Sequence, residues 1–145
     1  MAFERFTRDA RAAVLAAREE ARSGGLHSVE SEHLLLALAT RPEFGLDRDR
    51  LAEALAHEEV RSLAAVGVSA GELEPHTGAR ARRDPRFATS SKLALQRALA
   101  VAAKRGDRRL TARHVLLGVL AAEHGRVPRA LAIAEIDVGK LRARI

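Results

Sequence analysis

An all-α fold of two tandem four-helix repeats, related by pseudo-two-fold symmetry, is what this sequence predicts, on three observations. Apolar residues recur at steps of three and four along most of the chain, the period of a helix with one buried face. No segment alternates apolar and polar residues well enough to be a strand. The chain also repeats itself. With Phe87 placed under Phe6, an offset of 81 residues, the two copies run without a gap to Val119 under Leu38. Within that span Phe6/Phe87, Ala13/Ala94, Ala17/Ala98, Ala21/Ala102, Gly25/Gly106, His33/His114, Leu35/Leu116 and Leu36/Leu117 are identical.

The elements follow in order. In the first helix Phe6, Ala10, Ala13, Val14, Ala17 and Ala21 make one apolar stripe, Thr7 caps its start, and Gly24 and Gly25 end it. The second copy repeats this through Phe87, Ala94, Leu95, Ala98 and Ala102 to Gly106. Small alanines on both buried faces let neighbouring helices approach closely. The phrases "SEHLLLALA" and "ARHVLLGVL" predict central helices over about 31–40 and 111–121, started by Glu30 or Ser31 and by Thr111. Two shorter amphipathic helices follow in each copy, at 47–55 and 57–66 and at 127–135 and 138–145. Pro128 suits a first helical turn, and Asp137 suits a cap. The chain thus reads as one unit with repeat one at about 3–66, an exposed connector at 67–86 and repeat two at about 87–145. The connector carries Arg80, Arg82, Arg83 and Arg86 and nothing that would bury apolar area.

Composition bears on function mainly by exclusion. There is no cysteine, hence no disulfide or thiol chemistry. No apolar run is long enough to span a membrane, and "MAFERFTRDA" lacks the apolar centre of a signal peptide, so the expectation is a cytoplasmic protein without a membrane partner. The net charge of +6 raises nucleic acid as a partner, and a small basic helical nucleic-acid-binding protein is the alternative reading. Against it, "SGGLHSVE" is too long for a helix-turn-helix corner, and the four Phe, with no Tyr or Trp, offer little for bases to stack on.

Enzyme signatures are missing too. There is no Gly-x-x-x-x-Gly-Lys-Ser/Thr phosphate loop for ATP. His57-Glu58 begins like a zinc-protease helix, but Arg61 stands where the second His would be. Glu19 and Glu20 are adjacent in a helix and point apart. The expectation is a non-enzymatic protein with neither cofactor nor metal.

"FERFTRDAR" at 3–11, "SEHLLLALA" at 31–39, the restart at Phe87 with Lys92 five residues on, and the second "RHVLLGVL" together resemble the N-terminal repeat domain of the Clp (Hsp100) unfoldases, ClpC type. The family phrase is Gly-Thr-Glu-His followed by Ile/Val-Leu-Leu-Gly, once per repeat. Copy one departs by Ser for Thr and Ala for Gly, and copy two carries Ala112-Arg113 in place of Thr-Glu. The resemblance implies a recognition module that docks adaptors, protein substrates or peptides, cyclic peptides included, for an ATP-driven unfolding ring and its protease. It also implies a pocket for arginine-phosphorylated protein in each repeat. In that pocket Glu32 would face the guanidinium, whereas Arg113 at the matching place would repel it. A second site implied by the resemblance is a groove between the copies, with Phe3, Phe87, Arg11 and Lys92. The divergent Arg113 and the Arg-rich connector favour a free-standing accessory or decoy protein over the front end of a full unfoldase. His33 and His114 lack partners at metal spacing and are expected to be satisfied polar groups joining helices.

Overall fold

The computed structural model describes residues 4–69 and 83–145. Seven α-helices lie among them: α1 (Arg8–Ser23), α2 (Ser31–Ala39), α3 (Arg48–Ala65), α4 (Thr89–Arg105), α5 (Ala112–Leu120), α6 (Arg126–Ile133) and α7 (Val138–Arg144). The all-α class and the placing of most helices are as the sequence predicts. In α1 the buried residues are Ala10, Ala13, Val14, Ala17 and Ala21, the predicted stripe, and Thr7 Oγ1 accepts the Ala10 N–H at 3.4 Å. α4 stops at Gly106, whose φ of 74° is one that a side chain would resist.

Pairs of helices form the core. α1 packs on α2, α4 on α5, and α3 on α6, with α2 and α5 in contact at the centre. Their inner faces bury Leu34, Leu35, Leu38, Val115, Leu116 and Val119 almost completely. The contact between α2 and α5 at the centre is therefore apolar.

Two departures from the sequence reading stand out. The segments at 47–55 and 57–66 are one helix, α3, because no Gly or Pro interrupts "ALAHEEV" and the ladder has no reason to break. Its buried face runs through Leu51, Ala54, Leu55 and Glu58 and then ends, leaving Val60 and Val66 exposed. Repeat one thus has three α-helices and a 3-10 turn at Pro42–Phe44, against four α-helices in repeat two.

The second departure is a pair of short strands, β1 (Ser28–Val29) and β2 (Arg86–Phe87), which run parallel with Val29 opposite Phe87. Arg86, expected in the exposed connector, belongs to this pair, and Pro85 before it is buried. Arg80 and Arg82 lie outside the described residues. A matching bridge joins Phe6 to Leu110. Under the 81-residue offset Val29 becomes Leu110 and Phe6 becomes Phe87, so the two pairings are one contact made twice. The Ala88 N–H donates to the Val29 carbonyl at 3.0 Å, and its counterpart, the Thr7 N–H, donates to the Leu110 carbonyl at 2.9 Å. Each repeat thus lends backbone to the other, and two residues are too few to show a period in sequence.

Candidate polypeptide-binding site

The start of α2 organises the site. The Glu30 N–H, left without a partner inside the helix, donates to His33 Nδ1 at 2.8 Å, and Ser90 Oγ of α4 accepts the Ser31 N–H at 2.9 Å. α5 starts in the same way: the Thr111 N–H donates to His114 Nδ1 at 2.9 Å, and Thr111 Oγ1 accepts the His114 N–H at 3.4 Å. The repeated His thus closes a capping box on its own helix, where the sequence suggested a tie between helices. His114 also reaches Asp107 Oδ2 through Nε2 at 2.8 Å. Among the described residues no group of three or more His, Cys, Asp or Glu could hold a metal ion.

His33 carries a pH signature. Burial holds its pKa below the ordinary 6.5, helped by the Arg126 charge and opposed by Glu32 and Glu30. Its Nδ1 already accepts an N–H, so a proton there would cost that bond. The folded chain therefore keeps the neutral ring while the unfolded chain takes a proton near pH 6.5. His33 favours folding fully above that pH, and the contribution is lost as pH falls through it toward the lower folded value. The urea midpoint is expected to drop between about pH 7.5 and 5.5, and to drop less in His33→Gln. Parallel profiles would show that His33 does not carry the dependence.

Beside this cap lies a cavity of about 880 Å³ at the seam between the repeats. α2 contributes Glu32 and His33, α4 contributes Leu93, Ala94 and Arg97, and the approach to α6 contributes His124, Gly125 and Arg126. One wall is apolar: Leu26 and Leu93, 36% and 40% exposed, turn aliphatic surface into the space. Charged residues share the lining. Glu32, in the first turn of α2, has its side chain 10% exposed, and its Oε1 accepts from Arg126 Nη1 at 3.0 Å.

Arg126 is the hub of the charged lining. Its Nη2 donates to the Leu55 carbonyl at 3.2 Å and lies 3.4 Å from Glu59 Oε2, while Nε lies 3.2 Å from Glu58 Oε2. Glu58 in turn accepts from Arg129 Nε at 2.8 Å and from the Ser62 hydroxyl at 2.6 Å. Burial would raise the Glu58 pKa, but the Ser62 hydroxyl and the two guanidinium groups outweigh it and hold the carboxyl below its usual range. The network joins α2 and α3 to α6, which explains how α3 carries a buried acid.

Of the expected ligand-binding residues Arg11, Glu32, Phe87 and Lys92, the structure brings only Glu32 into this cavity. Phe87 is half-buried and packs against the core at β2, while Arg11 and Lys92 stand exposed at equivalent places on α1 and α4. None of the three lines this cavity or the second one described below. Phe3 lies outside the described residues. Sequence reasoning missed Arg126, the partner of Glu32, because its counterpart under the repeat is Gly45 and 94 residues separate it from Glu32.

A cavity of about 660 Å³ occupies the equivalent place in the other repeat, at the start of α5. Arg113 stands there where Glu32 stands in the first, and Asp9 stands where Ser90 stands, with its Oδ2 accepting the Ala112 N–H at 3.3 Å. A cation in the first turn faces the positive end of its own helix, against it by about 0.3–1 kcal/mol.

Comparison with known proteins agrees with this geometry. Residues 86–145 match the family model of the Clp repeat (R) N-terminal domain. No curated protein matches the chain. Among solved structures, the N-terminal domain of the caseinolytic protease associated chaperone ClpD from Arabidopsis thaliana superposes with a TM-score of 0.72 at 24% identity. That match covers 99% of this chain and 96% of that one. The Hsp104 N-terminal domain from Candida albicans gives 0.67 at 16% identity, covering 97% and 89%. The N-terminal domain of the ClpV1 ATPase from E. coli gives 0.60 at 19% identity, covering 97% and 83%. Residues 86–145 are thus similar to the Clp repeat N-terminal domain, and the chain as a whole has the fold of the N-terminal domains of Clp/Hsp100 proteins.

Proposed function

We propose that this protein is a non-catalytic recognition module of the Clp/Hsp100 kind, docking polypeptides in the cavity beside α2. The observation that carries the reading is the Glu32–Arg126 pair at 3.0 Å. It places a guanidinium against a nearly buried carboxylate in a cavity that Leu26 and Leu93 also line. An incoming polypeptide lays aliphatic side chains on those leucines, and a guanidinium of its own competes with Arg126 for Glu32. A phosphorylated arginine gains doubly: Arg126, released from Glu32, is free to turn to the phosphoryl oxygens with its planar fork.

Unfolded substrates and adaptors are the partner class, delivered to an ATP-driven ring. The test is a calorimetric titration of free phosphoarginine at physiological salt, alongside Glu32→Gln. The expected result is one saturable site per chain, weakened by about tenfold or more in Glu32→Gln, as loss of a charge-assisted pair implies. Equal affinity in both proteins would remove Glu32 from the site. No saturable heat with phosphoarginine, together with no binding of fluorescein-labelled casein, would overturn the recognition reading itself.

A further inference from the structure

We propose that the second cavity, at the start of α5, is a docking site of reversed sign that takes an anionic side chain, phosphate ester or carboxylate, on a partner polypeptide. It stands apart from the reading of the first cavity, since it involves other residues and the opposite charge.

The charge balance is the first ground. Five arginines line the cavity, Arg105, Arg108, Arg109, Arg113 and Arg144, against the acids Asp9, Glu43 and Asp107. The acids are engaged. Asp9 takes the Ala112 N–H and the Thr7 hydroxyl and lies 3.8 Å from Arg41, Glu43 takes Arg41 Nε at 2.6 Å, and Asp107 takes His114 Nε2 at 2.8 Å. Those contacts help to hold the Asp9 carboxyl, despite burial, below its usual range, so it stays ionised and bound where it is.

The arginines are the reverse case. Arg109 reaches the Phe6 carbonyl at 3.4 Å, but Arg105, Arg108, Arg113 and Arg144 make no hydrogen bond or ion pair among the described residues. Four unpaired guanidinium groups round one concavity repel each other, and an anion brought among them relieves that repulsion.

The second ground is the comparison of the two repeats within this one molecule. Glu32 corresponds to Arg113, His27 to Arg108 and Ser28 to Arg109, so three positions around one cavity change together toward positive charge. Composition bias toward Arg does not explain their convergence on one cavity, because the equivalent positions in repeat one carry no arginine. The planar forks suit phosphate or carboxylate oxygens in pairs. The cavity is concave and about 660 Å³, sized for one or two side chains of an extended segment rather than the backbone of a duplex.

The test uses three fluorescein-labelled peptides of one neutral sequence with Ser, phosphoserine or Glu at the centre. Fluorescence anisotropy is read at about 150 mM salt, where diffuse charge attraction is largely screened. The phosphoserine peptide is expected to bind about tenfold or more tightly than the Ser peptide, with the Glu peptide showing whether a carboxylate alone suffices. The double variant Arg108→Ser/Arg113→Ser should abolish the preference. Arg61→Ser, on the exposed side of α3, and Glu32→Gln should each leave it within about twofold. Equal affinity for Ser and phosphoserine would overturn the proposal, as would an equal loss in Arg61→Ser. A short DNA duplex that binds more tightly than any peptide, and is lost in the double variant, would overturn the polypeptide assignment. Arg61, Arg108 and Arg113 are exposed, so circular dichroism should report unchanged folding for their variants, and the same measurement checks that the buried Glu32→Gln still folds.

Discussion

Replacing Gly118 by Ala is expected to destabilise the protein by about 3 kcal/mol or more, lowering its melting temperature by roughly 6–12 °C. Gly118 sits in the middle of α5 on the face toward α4, where helix propensity alone would favour Ala by about 1 kcal/mol. Packing reverses the sign. A methyl group at Gly118 would meet the Ala98 nitrogen at 2.8 Å and the Ala98 Cβ at 3.0 Å, and would fall closer still to the Ala94 carbonyl oxygen. Two of these atoms are backbone, so no rotamer change clears the space. The α4–α5 pair has to move apart, which opens the packed core to which both helices contribute. Urea denaturation followed by circular dichroism measures the effect. A change under about 1 kcal/mol would show that the two helices do not hold this spacing in solution.

The same measurement distinguishes the two repeats. The equivalent of Gly118 in repeat one is Ala37, which is buried and carries its methyl group without strain. α1 and α2 therefore meet across a side chain where α4 and α5 meet across none. Ala37→Gly is expected to cost about 2 kcal/mol, from about 1 of propensity and nearly as much for the lost buried methyl, below the cost of Gly118→Ala.

Replacing Arg126 by Ala is expected to destabilise by about 2–3 kcal/mol at neutral pH. Glu58 keeps Arg129 and Ser62, but Glu32 is left with no partner among the described residues, its side chain only 10% exposed. The figure lies toward the low end for a broken buried pair, because the Arg126 side chain is 34% exposed and water softens the loss. The pH profile identifies the cause. In the intact protein Glu58 has a lowered pKa, so its contribution is present above about 4.5 and lost as pH falls below that. Without Arg126, Glu58 loses one of the charges that hold its pKa down, so the gap between variant and parent should narrow as pH falls from about 7 toward 4. A gap that stays constant across that range would mean that lost packing, rather than charge, explains the cost. Arg126→Lys should recover part of the stability, since one ammonium satisfies Glu32 but cannot also reach Glu58, Glu59 and the Leu55 carbonyl.

Most of the fold was legible before any coordinates. α1 and α4 each show a buried stripe at steps of three and four, each carries a local stop signal in Gly25 or Gly106, and the 81-residue offset announces the symmetry. The break expected inside α3 was misread for a physical reason. Glu58 on the inner face interrupts the apolar pattern, and only the arrival of Arg129 and Arg126 from α6 makes a buried acid tolerable there. The strand pairs were invisible because two residues hold no period and their partners lie in the other repeat.

The candidate site divides along the same line. Local signals placed Glu32 in the first turn of a helix and His33 three residues after Glu30, because caps and first-turn charges act between neighbours in the chain. The substitution of Arg113 for Glu32 was also visible, since it needs only the repeat. What tertiary structure alone decided is the company these residues keep. The sequence by itself determined the helices, their duplication and the reversed charge at one equivalent position, because periodicity, capping and repetition are properties of order along the chain. Tertiary structure decided that Arg126 rests on Glu32, that four arginines around the second cavity are left without partners among the described residues, and that Gly118 bears directly on α4, because charge pairing and packing depend on distance in space.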